Sequence, residues 1–424
     1  MQSLVRRALL ASLGGRRAHH ARMALQFRDL HRPGCLGNVS GELCRGRVTA
    51  VLGPSGAGKT SFFSVLSGRL AASEGTILLN GQRTSLSEHK SLLGFVTEDD
   101  ALLPLFSVEE TLDFAAAVRL SAKVTPHERT QLVNRLLHVL GLSHIRHSRV
   151  GQGAALAGVR GVSFGERRRL SIGVELAGLP QILLVDDATC GLDSRTAREV
   201  VATLGRVAEN GLTVAAILHQ PSWPLLSRID DVLCIGRGGY AVYCGPTTEA
   251  LAYFASAGQR RRILTHPRTP QPPANPLLIP GSPCSAGFAC PEQLSPTVFL
   301  LELLGGHPHV SAPREGSRAD EAGAVHGRGS EEGATRLASR PNGGGDADAC
   351  AHELLRALSQ LWCLHLEREQ EQSAQMQGKL RSAHGEAWPL PTARREPRFL
   401  VQLRLYTRRA CMLVLRRWRK TSLE

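Results

Sequence analysis

Between about Ala24 and Gly258 short apolar runs alternate with amphipathic ones, the pattern of a domain that interleaves strands with helices. Val48 to Leu52, Thr76 to Leu79, Gly94 to Val96, Ile182 to Val185, Val214 to Leu218 and Val232 to Ile235 read as strands. Asn80-Gly81 is a tight-turn signal after the second of these. Ser61 to Leu70 is helix-like, and two further helices carry explicit start signals. Ser107-Val108-Glu109-Glu110 is a capping box that predicts a helix over Val108 to Leu120. Thr125-Pro126-His127-Glu128 is another, with Pro at the first helical position, and predicts Pro126 to Leu140.

Beyond Gly258 the pattern changes. Residues 259–294 form a Pro-rich insert and 307–350 a linker rich in Gly, Ala, Asp, Glu and Arg; neither holds enough apolar side chains to order itself. A helical island spans about 351–380, with Leu354, Leu355, Leu358, Leu361 and Trp362 as its stripe; it reads as a docking or self-associating helix rather than a catalytic element. Within 392–424, Phe399 to Arg419 reads as a basic amphipathic helix of the kind that lies on a membrane surface or shields a partner.

Gly53-Pro54-Ser55-Gly56-Ala57-Gly58-Lys59-Thr60 fits G-x-x-x-x-G-K-[ST], directly after one predicted strand and directly before the helix that starts at Ser61. In that context the glycines let successive backbone N–H groups converge on phosphate oxygens at a helix N-terminus. Lys59 is then placed to reach the β and γ phosphates, and the Thr60 hydroxyl to bind Mg²⁺. The run Gln181 to Val185 is an apolar strand ending in Asp186, the natural Mg²⁺-organising carboxylate, and Asp187 follows where a general base would hold a water.

Charge narrows the partners. The formal net charge is +14, but residues 1–28 contribute +6 and residues 392–424 contribute +8, so the centre of the chain is neutral. A duplex needs a basic face, and the core lacks one; no nucleic acid is expected. The basic arms suit anionic headgroups or RNA about equally on electrostatics alone. Ten Cys are scattered without a C-x-x-C, which suits a reduced, cytosol-facing protein. No run of 18 apolar residues exists to span a membrane. Residues 1–23 read as a basic leader, the composition also being that of a mitochondrial transit peptide; sparse Ser and Gly14-Gly15 favour the former.

The segment Gly161-Val162-Ser163-Phe164-Gly165-Glu166-Arg167-Arg168-Arg169-Leu170-Ser171-Ile172-Gly173 resembles the signature of ABC transporter nucleotide-binding domains, and most of all the G subfamily, the white-brown complex type. Thr97-Glu98-Asp99-Asp100 at the Q-loop, Gly191-Leu192-Asp193-Ser194 at the D-loop and His219-Gln220-Pro221-Ser222 at the H-loop follow that family's order, and Tyr253-Phe254 with Ser295 to Leu301 is similar to its closing segment, over 295–306. The resemblance implies an α/β P-loop NTPase fold of the ABC ATPase type with a helical signature subdomain. It is expected over 24–258, followed by a largely disordered linker and a basic connecting helix like the one that precedes the first membrane span in that subfamily.

It also implies a composite site. Gly53, Pro54, Ser55, Gly56, Ala57, Gly58, Lys59, Thr60 and Ser61 of one subunit would hold ATP. Thr60, Glu98 and Asp186 would serve Mg²⁺, and Asp187, His219 and Glu98 the hydrolysis. Ser163, Gly165 and Glu166 of a second nucleotide-binding domain would close the site, and Asp193 of the D-loop counts among the nucleotide-binding residues. Partners implied are that second domain, a transmembrane domain and a membrane surface, on the cytosolic face of a half-transporter whose membrane domain is apparently lacking here. Export of a lipid-like or hydrophobic substrate is a subfamily expectation; the alternative is a soluble ATP-binding regulatory subunit docking on a partner transporter.

Three departures from the family pattern bear on rate. The Q-loop Gln is Glu98, the first signature Gly is Phe164, and the catalytic Glu is Asp187, with Ala188 in place of Pro. ATP binding with slow or partner-dependent hydrolysis is expected, against the alternative that Asp works as a base. No obvious aromatic stands where adenine is usually stacked; Phe27 and His31 are the candidates, Phe27 reading more as a strand residue of the core.

Overall fold

The computed structural model describes residues 25–121, 124–151, 161–256, 288, 290, 291, 293–306, 351–368, 401–407 and 409–412. The leader, the linker 307–350, most of the Pro-rich insert, residues 369–380 of the island and much of 392–424 lie outside the described residues.

Strands β1 (Leu25–Arg32), β2 (Leu36–Leu43), β3 (Val48–Leu52), β4 (Glu74–Leu79), β5 (Gln82–Arg83), β6 (Leu93–Val96), β7 (Ile182–Val185), β8 (Thr213–Ile217), β9 (Asp231–Gly236) and β10 (Tyr240–Pro246) form one sheet. Its order is β5-β4-β1-β2-β10-β9-β3-β8-β7-β6. The segment from β9 to β6 is parallel, with Val48 opposite Val214 and Leu183 opposite Val214 from the other side. Strands β3, β7 and β8 are buried at every position. Helices on both faces explain why these strands are unbroken apolar runs. The other end is antiparallel, β1 pairing with both β2 and β4.

Helix α1 (Lys59–Leu66) follows β3 and buries Phe62, Phe63, Val65 and Leu66. Helices α2 (Val108–Arg119), α3 (Pro126–Val139) and α4 (Phe164–Leu176) form a helical layer beside β6 and β7. All three begin with a complete capping box, at Ser107 with Glu110, Thr125 with Glu128, and Ser163 with Glu166. Each box satisfies two backbone donors that the first turn leaves without partners. Helix α5 (Ser194–Glu209) lies between β7 and β8 in the chain, and α6 (Trp223–Leu226) between β8 and β9.

The later segments fold onto this body. Helix α7 (residues 250–256) buries Phe254, and α8 (Pro296–Leu304) buries Phe299, Leu300, Leu303 and Leu304. The Arg237 amide donates to the Leu304 carbonyl at 3.0 Å. Helix α9 (residues 351–368) presents the predicted stripe inward: Leu354, Leu355, Leu358 and Trp362 are buried. Trp362 packs on Tyr243 and Tyr253 at 5.4 and 5.7 Å between ring centroids, and its Nε1 donates to the Ser40 carbonyl at 3.1 Å. The stripe therefore docks on the chain's own sheet; with its apolar face covered, this helix does not offer a free docking or self-associating surface. In the basic C-terminal segment, 401–407 is helical and Tyr406 meets Phe114 of α2 edge-on at 5.8 Å.

Candidate functional site

The carboxyl ends of β3, β7 and β8 lie side by side, the place where parallel sheets present ligand-binding groups. Backbone bonds hold this edge in line: the Asp186 amide donates to the Val96 carbonyl at 2.8 Å and the Ala188 amide to the Ile217 carbonyl at 3.0 Å.

From β3 the chain enters the loop Gly53 to Gly58 and turns into α1. Gly56 and Gly58 have φ of 76° and 90°, in the left-handed region that only glycine adopts freely. A Cβ at Gly56 would meet nothing, whereas one at Gly58 would strike the Cys35 carbonyl. The loop is thus open at one glycine and wedged against the β1–β2 turn at the other. Pro54 is half-buried, Ser55 exposed, Ala57 buried and Ser61 half-buried. Lys59 is buried, and its Nζ donates to the carbonyls of Gly53 at 2.9 Å and Pro54 at 2.8 Å. Burial lowers the Lys59 pKa, while the nearby Asp186 and Asp187 charges oppose that shift. A buried cation at the start of a helix, beside a loop with two glycines at positive φ, fits the binding of a phosphate group.

The Thr60 hydroxyl donates to Asp186 Oδ1 at 3.2 Å. Burial raises the Asp186 pKa; the Thr60 bond opposes this, and the Glu98 and Asp187 charges push the same way as burial. Asp186 and Asp187 are buried and Glu98 is exposed, so two carboxylates sit at the strand end with a third at the mouth. Asp187 adopts φ of 53°, unusual for a residue with a side chain, and its Oδ1 is buried without a hydrogen-bond partner among the described residues. The Cys190 thiol donates to the Asp187 carboxylate, which together with that charge raises the thiol's pKa. His219 stands exposed just past β8. Among the described residues no three His, Cys, Asp or Glu side chains cluster as a metal site; the Thr60 hydroxyl beside Asp186 Oδ1 is a hard-oxygen pair of the kind that holds Mg²⁺ together with phosphate oxygens.

At the N-terminus of α4, Ser163 and Phe164 are exposed and Gly165 is buried against Thr196. The Ser163 hydroxyl donates to Glu166 Oε2 at 2.8 Å and accepts from the Glu166 amide at 3.3 Å. Burial pushes the Glu166 carboxyl up, but the Ser163 bonds and His144 outweigh it and hold the group below the ordinary range. Phe164 is 56% exposed, a large apolar surface beside Gly191. Asp193 is the N-cap of α5, accepting from the amides of Arg195 at 2.8 Å and Thr196 at 2.9 Å. The structure therefore brings Lys59, Thr60, Glu98, Asp186 and Asp187 together on one edge and sets Ser163 and Asp193 on separate, exposed helix starts.

Phe27 does not stack a base: it is fully buried, with its ring 5.0 Å from Phe62. His31 is held through Nδ1 to the Gly37 carbonyl at 2.9 Å. Sequence reasoning gave no role to Cys190 or to Arg168, whose contacts are buried ones; the Arg run beside the signature was the one available signal.

A parallel-stranded core with this phosphate loop, these strand-end carboxylates and a capped signature helix defines an ABC-type nucleotide-binding domain. Residues 36–190 match the family model described as ABC transporter. The chain is 42% identical over 283 residues to ABC transporter G family member 22 of Arabidopsis thaliana, covering 66% of this chain and 33% of that protein. It is 38% identical over 276 residues to putative white-brown complex homolog protein 30 of the same plant, covering 64% of this chain and 24% of that protein. A solved structure, cbiO1 from Clostridium perfringens, part of the ABC transporter complex cbiONQ, aligns with a TM-score of 0.48 at 24% identity, over 58% of this chain and 97% of that one. The domain is homologous to those of G-family, white-brown type transporters, and the chain spans about a quarter to a third of the length of these two relatives. Among the described residues no helix is long and apolar enough to cross a membrane.

Proposed function

We propose that this chain binds Mg-ATP at the Gly53 to Thr60 loop, pairs head to tail with a second nucleotide-binding domain, and hydrolyses the nucleotide slowly to drive export through a membrane domain. The observation that carries the reading is the dry Lys59 beside the Thr60–Asp186 pair at the mouth of a loop built to receive phosphate. Thr60, with Asp186 at the strand end and Glu98 at the mouth, would hold Mg²⁺, which offsets the charge of the phosphates. Lys59 and the loop amides bind and orient the phosphate chain. Asp187 Oδ1, buried and without a hydrogen-bond partner among the described residues, would accept the proton of the attacking water, with His219 exposed just past β8 as a further polar group. Ser163 and Gly165 close the partner's site, which requires the Ser163 hydroxyl to leave Glu166 and donate to the γ-phosphate.

Two features slow turnover in this account. Asp187 is one methylene shorter than Glu, and a retreat of about an ångström costs on the order of 10²-fold. Phe164 adds bulk at the closing face. The arm 392–424, with its net +8, supports a seat for the domain at the cytosolic face of an anionic membrane. The regulatory-subunit alternative is weakened because the stripe of α9 is already covered. Light scattering on the Asp187→Asn full chain tests the pairing: ATP with Mg²⁺ should double the mass, and a monomer at saturating ATP would contradict it.

A further inference from the structure

Helix α4 carries three successive arginines, and the second is the most deeply placed: Arg168 is 3% exposed, at a helix position whose neighbours on the same face are Gly165 and Ile172. A guanidinium there must find acceptors or cost several kcal/mol. It finds them on two separate elements. Nη1 donates to the Thr97 carbonyl at 2.7 Å, the Glu98 carbonyl at 3.3 Å and Asp100 Oδ1 at 3.0 Å. Nη2 donates to the carbonyls of Asp186 and of Asp187, the latter at 3.1 Å. One planar group thus bridges the Q-loop and the end of β7 from the helix that begins at Ser163.

We infer that Arg168 is a positioning residue that fixes the Glu98 and Asp186–Asp187 backbones relative to the signature helix, so that engagement of Ser163 by a partner's nucleotide is felt at this chain's own carboxylates. The inference rests on the proposed function for its consequence, though not for its geometry. The planar fork is required: five acceptors on two elements match the two ends of a guanidinium, whereas a Lys ammonium is a compact point that serves one set at a time. Asp187, already held at a positive φ, is the residue whose aim depends most on such a clamp. Arg167 shares only the Q-loop end of this bridge: it donates to the Asp100 carbonyl at 3.4 Å and to the Gly151 carbonyl at 2.8 Å. Arg169 donates to Glu199 at 2.9 Å, so Arg168 is the member of the run that joins the Q-loop to the end of β7.

The experiment compares wild type, Arg168→Gln and Arg168→Lys as full chains, by amide hydrogen exchange and by ATP binding and turnover. In Arg168→Gln the amides of 97–100 and 186–187 should exchange about tenfold faster or more, while those of 59–66 are unchanged. Turnover should fall about 10- to 100-fold, with the Kd for ATP within about threefold of wild type. Arg168→Lys should lie between the two. Unchanged exchange at 97–100 and 186–187 would overturn the clamp, as would Lys restoring wild-type turnover. A Kd that worsens as much as the rate would make Arg168 merely structural and overturn the positioning role. If neither wild type nor variant binds ATP, the proposed function fails, and the exchange comparison still decides the clamp.

Discussion

Replacing Trp362 with Ala removes the largest anchor of α9. The indole is 2% exposed, touches Tyr243, Tyr253 and His365, and donates to the Ser40 carbonyl. Burying a Trp removes about 200 Å² from water, roughly 5 kcal/mol at ~25 cal/mol/Å². Measured truncations of buried Trp or Phe cost about 3–5 kcal/mol, and the lost N–H bond adds about 1. Those sums are a large share of the ~5–15 kcal/mol that holds a domain together. Urea unfolding followed by circular dichroism, with limited proteolysis across 351–368, should show a loss of about 4–6 kcal/mol or early cleavage of a released α9. A variant within about 0.5 kcal/mol of wild type with an unchanged cleavage pattern would refute the seating of this helix, and would return its stripe to the pool of surfaces available to a partner.

Three further outcomes bear on the site. Asp187→Glu combined with Phe164→Gly should raise basal ATP turnover about 10- to 100-fold; a wild type that already turns over at ~10 per second would contradict the slow site. Asp186→Asn should abolish Mg²⁺-dependent turnover yet raise the thermal midpoint by a few degrees near neutral pH. Because burial raises the Asp186 pKa in the fold, the folded state binds that proton more readily than the unfolded chain, and its stabilising contribution is lost as pH rises through the raised value. The gain from Asn should therefore shrink as pH falls toward the ordinary carboxylate range near ~4, and a gain that grows on acidification would reverse the sign of the argument.

How much was legible in advance follows from burial. Val48 to Leu52 and Ile182 to Val185 were read with their observed bounds, because strands covered on both faces are continuous apolar runs. The starts of α2 and α3 were read from capping boxes, which are local chemistry. Strands β2 and β10 were not read as strands, and β1 was read only at Phe27. In β1 the alternation breaks at a register shift around Asp29, which takes φ of 51°, and β2 mixes Gly, Asn and Ser into its run. Helix α1 ends at Leu66 rather than Leu70 because Gly68 turns the chain at φ of 73°. The loop residues and strand-end acids were legible as a set, since their types and order carry the chemistry. What stayed hidden was tertiary: the α9 stripe is covered by its own sheet, and Arg168 is buried amid carbonyls. A backbone carbonyl leaves no mark in a sequence, so a clamp made of carbonyls cannot be read there.

The central claim is that the Gly53 to Thr60 loop holds the phosphates of ATP through Lys59. Titration of the full chain with ATP and Mg²⁺, wild type against Lys59→Ala, measures it directly. Losing a charge-assisted contact of about 1.5–3 kcal/mol should weaken binding roughly 10- to 100-fold. Equal affinity of the two proteins, or no binding by wild type, would contradict the account.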